Sequence, residues 1–233
     1  MNRLAVALSL FLLCVPASAQ DATPALLTPQ QVDAALLLPP PPVPGSKQAV
    51  GEIAELRHIA AVRTASEYSA AAHDDKDESP AMFEPALGAS FDLGKLPATA
   101  KMLADIGRTE ETVTKAAKAY FHRDRPWIVI PTWKTCAPHK LGPARNSYPS
   151  GHATVAYAMG VVLASLIPDK AQEILKRSSQ FAEGRLVCGV HFRSDIVAGQ
   201  VLGTVIADDL MNNAQFRLEY DAAAAELAAA HLR

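Results

Sequence analysis

Along the chain, apolar positions recur at helical spacing and nowhere alternate over a length that would mark a strand. Over 49–73, Ile53, Leu56, Ile59/Ala60 and Val62/Arg63 fall on one stripe and predict an amphipathic helix. The run Asp74-Asp75-Lys76-Asp77-Glu78-Ser79-Pro80 breaks that pattern and reads as a solvated acidic loop, its contiguous charges lacking a calcium-loop spacing. Residues 96–122, rich in Ala, Lys, Glu and Leu, predict another long helix, after which Pro126 and Pro131 force an extended or irregular path. The stretch 131–149 has turn chemistry and no clean period, which marks a loop of functional length. From Ser150 to Ile167 the chain turns apolar and helical, and Pro168 stops it. Helices over 170–183, with Ile174, Leu175 and Phe181 turned inward, over 187–210 and over 222–230 complete the pattern. The expectation is an all-α fold, a compact single-domain helical bundle.

Two of these segments, 150–167 and 187–210, approach the length of a membrane span. Each carries groups that lipid penalises, His152 in the first and His191, Arg193 and Asp195 in the second, so both read as buried helices without stable membrane insertion. At the other end, Arg3, the apolar run from Leu4 to Val15 and the small residues Ala17-Ser18-Ala19 have the form of an export signal over 1–19, cleaved near Ala19/Gln20. A proline-marked leader over 20–48 follows, whose Pro39-Pro40-Pro41-Pro42 favours polyproline II and reads as a rigid surface strap. Residues 49–233 form the helical domain. Of the three cysteines, Cys14 falls within the apolar run behind a large Leu13, which argues against lipid attachment. Cys136 and Cys188 remain, an even pair in an oxidising compartment, and are a possible disulfide. The expected location is periplasmic. A formal net charge of -2 argues against nucleic acid as a partner.

The chemistry is concentrated in three segments: Lys118-x6-Arg125-Pro126, Tyr148-Pro149-Ser150-Gly151-His152 and Arg185-x5-His191-x3-Asp195. Together they supply three fixed cations, two imidazoles, a carboxylate, a hydroxyl and a glycine turn, an inventory suited to holding and attacking a tetrahedral oxyanion. Arg125 and Arg185 offer bidentate donors and Lys118 a compact charge. Lys118 and Arg125 share a helix face if the helix reaches that far. Ser150 is a candidate N-cap, Gly151 permits close backbone approach, and the N–H groups beyond them form an anion cradle with His152 at its lip. His191 and Asp195, four apart, share a face if their segment is helical, and the carboxylate would fix the imidazole tautomer. His191 is then the nucleophile, and His152 the acid for the leaving oxygen and the base for water. His122 and Arg123 read either as site residues or, at least equally, as flanking surface positions. A metal held by His152, His191 and Asp195 is opposed by the three cations, so no cofactor is expected.

These motifs resemble the signature of the type 2 phosphatidic acid phosphatase (PAP2) superfamily, and Ser147-Tyr148-Pro149-Ser150-Gly151-His152 with Cys188-Gly189-Val190-His191 is similar to its bacterial class A nonspecific acid phosphatases. The resemblance implies a helical periplasmic enzyme of the PAP2/haloperoxidase fold. Such an enzyme hydrolyses many phosphomonoesters (nucleotides, sugar phosphates, aryl phosphates) at acidic pH, without a metal and through a phosphohistidine, often as a homo-oligomer such as a dimer. Carried over by position, Lys118, Arg125, Ser150, Gly151 and Arg185 bind phosphate, His191 is the nucleophile, His152 the acid and Asp195 its orienting partner. Asn146, Ala153 and Gly184 depart from the group's usual Gly, Thr and Ser. The competing readings are a vanadium haloperoxidase with vanadate in the phosphate seat, the lipid phosphatase branch, and a non-catalytic phosphate-binding protein. The last has no need of two histidines and Asp195 at helical spacing.

Overall fold

The computed structural model describes residues 24–136 and 145–232; the expected export signal and residues 137–144 of the proposed loop lie outside them. The elements in chain order are α1 (Ala34–Leu37), α2 (Lys47–Val62), α3 (Ala65–Asp74), α4 (Glu84–Leu87), α5 (Pro97–Phe121), α6 (Pro126–Val129), α7 (Gly151–Leu166), α8 (Ala171–Cys188), α9 (Arg193–Asn212) and α10 (Ala214–Ala229), with 3₁₀ turns at Pro80–Phe83 and Pro168–Lys170. No strand occurs among the described residues, and none of their helices is long and apolar enough to cross a membrane.

At the centre stands α7, packed against α5, α8 and α9, while α10 closes over α5 and α9. Its apolar composition follows from this position, because Val155, Ala156, Met159, Val162, Leu163 and Leu166 are buried on several sides. Small residues set its distance from α9. A Cβ on Gly199 would lie 2.6 Å from the Ser150 carbonyl oxygen, and one on Gly203 would strike the Thr154 carbonyl, so the two backbones are nearly in contact. In contrast, α5 is amphipathic. Met102, Leu103, Ile106 and Val113 face the core, and Pro97 occupies its first turn, where a missing N–H costs nothing.

Three helix boundaries differ from the periodicity. The helix expected over 49–73 is two helices, because the Thr64 hydroxyl accepts from the Glu67 N–H while the Glu67 carboxylate accepts from the Thr64 N–H. That reciprocal cap starts α3 afresh, although the apolar stripe runs on past it. The segment 187–210 is also divided: α8 continues to Cys188 and ends on Gly189, whose φ of 79° is the left-handed conformation glycine adopts without strain. The terminal helix begins at Ala214, capped by the Asn213 side chain on the N–H groups of Gln215 and Phe216. The proline leader is anchored: the Tyr148 hydroxyl donates to the Pro39 carbonyl at 2.6 Å, fixing the strap to the segment that precedes α7.

Candidate active site

The three motif segments converge where α5 ends, α7 begins and α8 passes into α9. His122 closes α5 in the left-handed conformation (φ 49°), so the helix stops short of Arg125 and the shared Lys118/Arg125 face does not exist. The turn brings both residues to the site from different directions. Lys118, on the last turn of α5, places its Nζ 3.3 Å from where a Gly151 Cβ would stand, so any larger residue there would crowd the ammonium group. Arg125 precedes α6 and extends across to the α8–α9 connection. Its Nε donates to Asn146 Oδ1 (2.9 Å) and its Nη1 to the Val190 carbonyl (2.9 Å), and the same Nη1 lies 2.8 Å from His191 Nε2. Asn146, one of the three departures, is therefore a direct support of the arginine.

His191 lies in the connection before α9 and Asp195 in the first turn of that helix, so their contact is made by a cap and not by a shared helix face. Asp195 Oδ2 sits 3.2 Å from His191 Nδ1 and accepts from the Phe192 N–H (2.8 Å) and the Ser147 hydroxyl (2.6 Å); Oδ1 accepts from Arg123 Nη1 (2.6 Å). With Nδ1 protonated towards Asp195, Nε2 carries the lone pair and accepts from Arg125. Burial, reinforced by Arg125, Lys118, Arg185 and His152, holds the His191 pKa well below the ordinary imidazole value, so the ring is neutral. Burial pushes the Asp195 carboxyl up, against the opposing pull of Arg123 and the Ser147 and Phe192 bonds.

Ser150 caps α7, its hydroxyl accepting from the Ala153 N–H at 3.4 Å, and its own N–H donates to the Asp195 carbonyl at 3.0 Å. The start of α7 is thereby joined directly to α9. His152 follows in the first turn, stacked on Phe181 with ring centroids 5.5 Å apart, its Nδ1 2.5 Å from Glu78 Oε1 and its Nε2 buried without a partner among the described residues. Arg185, on the last turn of α8, pairs through Nη2 with Asp75, while its buried Nε and Nη1 have no partner among the described residues. Such unmatched buried donors are costly unless a ligand meets them. Cys136 and Cys188 form a disulfide, and the Cys136 N–H donates to the Cys188 carbonyl at 3.0 Å, binding the segment after α6 to the end of α8. Asp75 and these two cysteines lie within 4.8 Å, but with both sulfurs bonded the group offers a metal only one carboxylate; His152, His191 and Asp195 do not group for a metal among the described residues.

Several members of the site were not anticipated. Arg123 is a buried hub, donating to Asp195, to Glu52 Oε2 (2.6 Å) and to Ser194 Oγ (2.7 Å), so of its two readings the surface position is excluded. The acidic segment 74–78 is not free in solvent, since Asp75 and Glu78 both reach site groups. Gly184, by contrast, faces only Ala71 at 3.9 Å, so its departure removes no contact from the cluster. Glu110 lines a cleft of about 950 Å³ with Glu78, Lys118, Asn146 and Gly151, and accepts from the Thr114 hydroxyl at 2.7 Å.

Burial pushes the Glu110 carboxyl up to about 8, opposed by the Thr114 bond and by Lys118, with Glu78 adding to the rise. It is consequently neutral beside Lys118 at acidic pH. The unfolded chain releases this proton near the ordinary value of 4.5 and the folded chain only near 8. Folding stability contributed by this group is therefore full below the lower value and lost as pH rises through the window, by up to about 1.4 kcal/mol per pH unit. Glu110→Gln should flatten that decline, with a melting temperature at pH 8 higher than the parent's and little changed at pH 4, as thermal scans across pH would record.

The cations, imidazoles and helix start of this all-helical domain thus converge on one region of the fold. Residues 101–217 match the PAP2 superfamily, and the chain belongs to that family. It is 30% identical over 200 residues to an acid phosphatase of Zymomonas mobilis, covering 84% of this chain and 75% of that protein. A non-specific acid phosphatase of Salmonella typhi is 34% identical over 127 residues, 53% of this chain and half of that protein's length. In fold, the chain resembles the crystal structure of Aquifex aeolicus LpxE, with a TM-score of 0.54 at 20% identity, over 68% of this chain and 93% of that one.

Proposed function

We propose that the chain is an acid phosphatase that hydrolyses phosphomonoesters of broad structure through a phosphohistidine intermediate. The observation that carries this reading is the pairing of a neutral His191, its Nε2 lone pair turned to Arg125, with buried N–H donors on Arg185 and a buried Nε2 on His152 that no described group meets. Arg125, Lys118, Arg185 and the N–H groups at the start of α7 hold the three non-bridging oxygens, where charge must be stabilised during phosphoryl transfer. His191 Nε2 attacks phosphorus while Asp195 stabilises the charge that develops on the ring. His152 protonates the departing oxygen and then takes a proton from the water that cleaves the phosphorus–nitrogen bond.

Burial and Arg185 lower the His152 pKa, so its acid form prevails on the acid side of neutrality and the optimum is acidic. The disulfide supports an oxidising, periplasmic setting. The test is turnover of a panel of nucleotide, sugar and aryl monophosphates by protein purified in excess EDTA. Release of phosphate from several esters, inhibited by vanadate, is the expected result; loss of turnover with EDTA, or no release from any ester, would overturn the reading.

A further inference from the structure

The segment 74–78 borders the site, and its carboxylates are committed to specific partners. Asp74 takes Arg177 in a bidentate pair at 2.8 and 2.9 Å, and Asp75 takes Arg185. Asp77 Oδ1 accepts from the Ser79 N–H at 2.9 Å, and the Ser79 hydroxyl starts the following 3₁₀ turn. Glu78 stands between these anchors and meets His152 Nδ1 at 2.5 Å. One face of that imidazole lies along Phe181, so the ring is held by one bond at its edge and one stack.

We propose that Glu78 is the positioning residue for His152: its carboxylate accepts from Nδ1–H and stabilises the imidazolium, whose Nε2 proton is delivered to the leaving oxygen. The proposal rests on the phosphomonoesterase reading and adds to it a residue outside the three motifs. In the first step the bond from His191 Nε2 to phosphorus forms and the ester P–O bond breaks. The His152 Nε2 proton passes to the departing oxygen, and His152 is left neutral with Nδ1–H still on Glu78. In the second step Nε2 takes a proton from water as the water oxygen bonds to phosphorus and the phosphorus–nitrogen bond breaks. The site thus contains two imidazole–carboxylate pairs with opposite assignments: neutral His191 with Asp195 presents a lone pair, and His152 with Glu78, as the imidazolium, presents a proton.

Charged groups reach His152 from each neighbouring element: Glu78 and Asp75 from the segment after α3, Arg185 from α8, His191 from the turn before α9, and Lys118 and Glu110 from α5 beside Glu78. Burial and Arg185 press the imidazole towards its neutral form, and Glu78 is the carboxylate in contact that opposes them.

Glu78 is half exposed, so Glu78→Gln keeps the fold and leaves an oxygen to accept from Nδ1–H while removing the charge. The readout is kcat/KM, which reports formation of the phosphoenzyme, for esters ranging from nitrophenyl to simple alkyl phosphates. Nitrophenolate departs with little protonation, so its ester should retain activity within about threefold, whereas alkyl esters should lose about 10- to 100-fold, part of the range for a full acid catalyst. The alkaline limb of the alkyl-ester profile should move down by about one pH unit, as loss of a contacting carboxylate demands. Glu78→Ala should show the same leaving-group dependence more steeply. A loss equal across all esters, no loss, or an unmoved alkaline limb would overturn the role of Glu78. Absence of turnover in the parent protein would instead remove the reading beneath it.

Discussion

His191→Ala is expected to lower phosphomonoester turnover by about 10⁴-fold or more and to abolish the acid-labile phosphoenzyme trapped by rapid quench, because removal of a nucleophile from a concerted catalytic unit is among the most severe single changes. The structure supplies the reason for that severity. His191 Nε2 is the atom against Arg125 Nη1, and its ring is fixed from behind by Asp195, which is itself fixed by Ser147, Phe192 and Arg123. No neighbouring side chain could inherit the task without moving this network. The companion variant separates the two imidazoles. His152→Ala should still form phosphoenzyme from nitrophenyl phosphate, whose leaving group needs little protonation, yet hydrolyse it slowly. Normal trapping in His191→Ala would reverse the assignment of the two histidines.

Arg123→Met is expected to destabilise the fold by about 3–5 kcal/mol, the range for breaking a buried ion pair by removing one partner. Its guanidinium lies over the Phe192 ring at 4.4 Å and bridges Asp195 on α9 to Glu52 on α2. Removing it leaves two buried carboxylates without their cation, and methionine cannot donate to either. At about 2–4 °C per kcal/mol for a chain of this size, the melting temperature should fall by roughly 6–20 °C. Residual activity should survive at lower temperature, since Asp195 retains its bonds from Ser147 and the Phe192 N–H. A change within about 0.5 kcal/mol, as at an ordinary surface site, would show that the bridge contributes little.

The helical class and the three motifs were legible because both depend on short-range order: apolar spacing within a helix, and reactive residue types at fixed separation. Helix ends were less legible, although local signals existed. Thr64 with Glu67 forms a readable capping pair, and Gly189 is a readable helix terminator, but the continuing apolar stripe outweighed both. The choice between the two readings of Arg123, and the role of the acidic segment, were illegible for another reason. Their partners lie far along the chain, Asp195 and Glu52 for Arg123, Arg177, Arg185 and His152 for 74–78, and no period in the sequence links them. An isolated charged residue after a helix looks the same whether it meets water or a buried carboxylate. Glu110 was similarly hidden on the amphipathic α5, where a polar position ordinarily faces solvent.

The near-contact of α7 and α9 has a consequence for how this protein can change. Gly199 and Gly203 leave the two backbones no space to slide, and the bond from the Ser150 N–H to the Asp195 carbonyl locks the first turn of one to the first turn of the other. The entropy of arranging these turns is therefore spent once, when the chain folds, and is not demanded again from each arriving molecule. Cleft-lining positions that take no part in this joint, such as Glu111, Lys115 and Ile128, carry no such constraint. Side chains there can drift while the central die keeps its shape, so descendants of one such sequence can acquire new appetites without rebuilding the machinery that serves them.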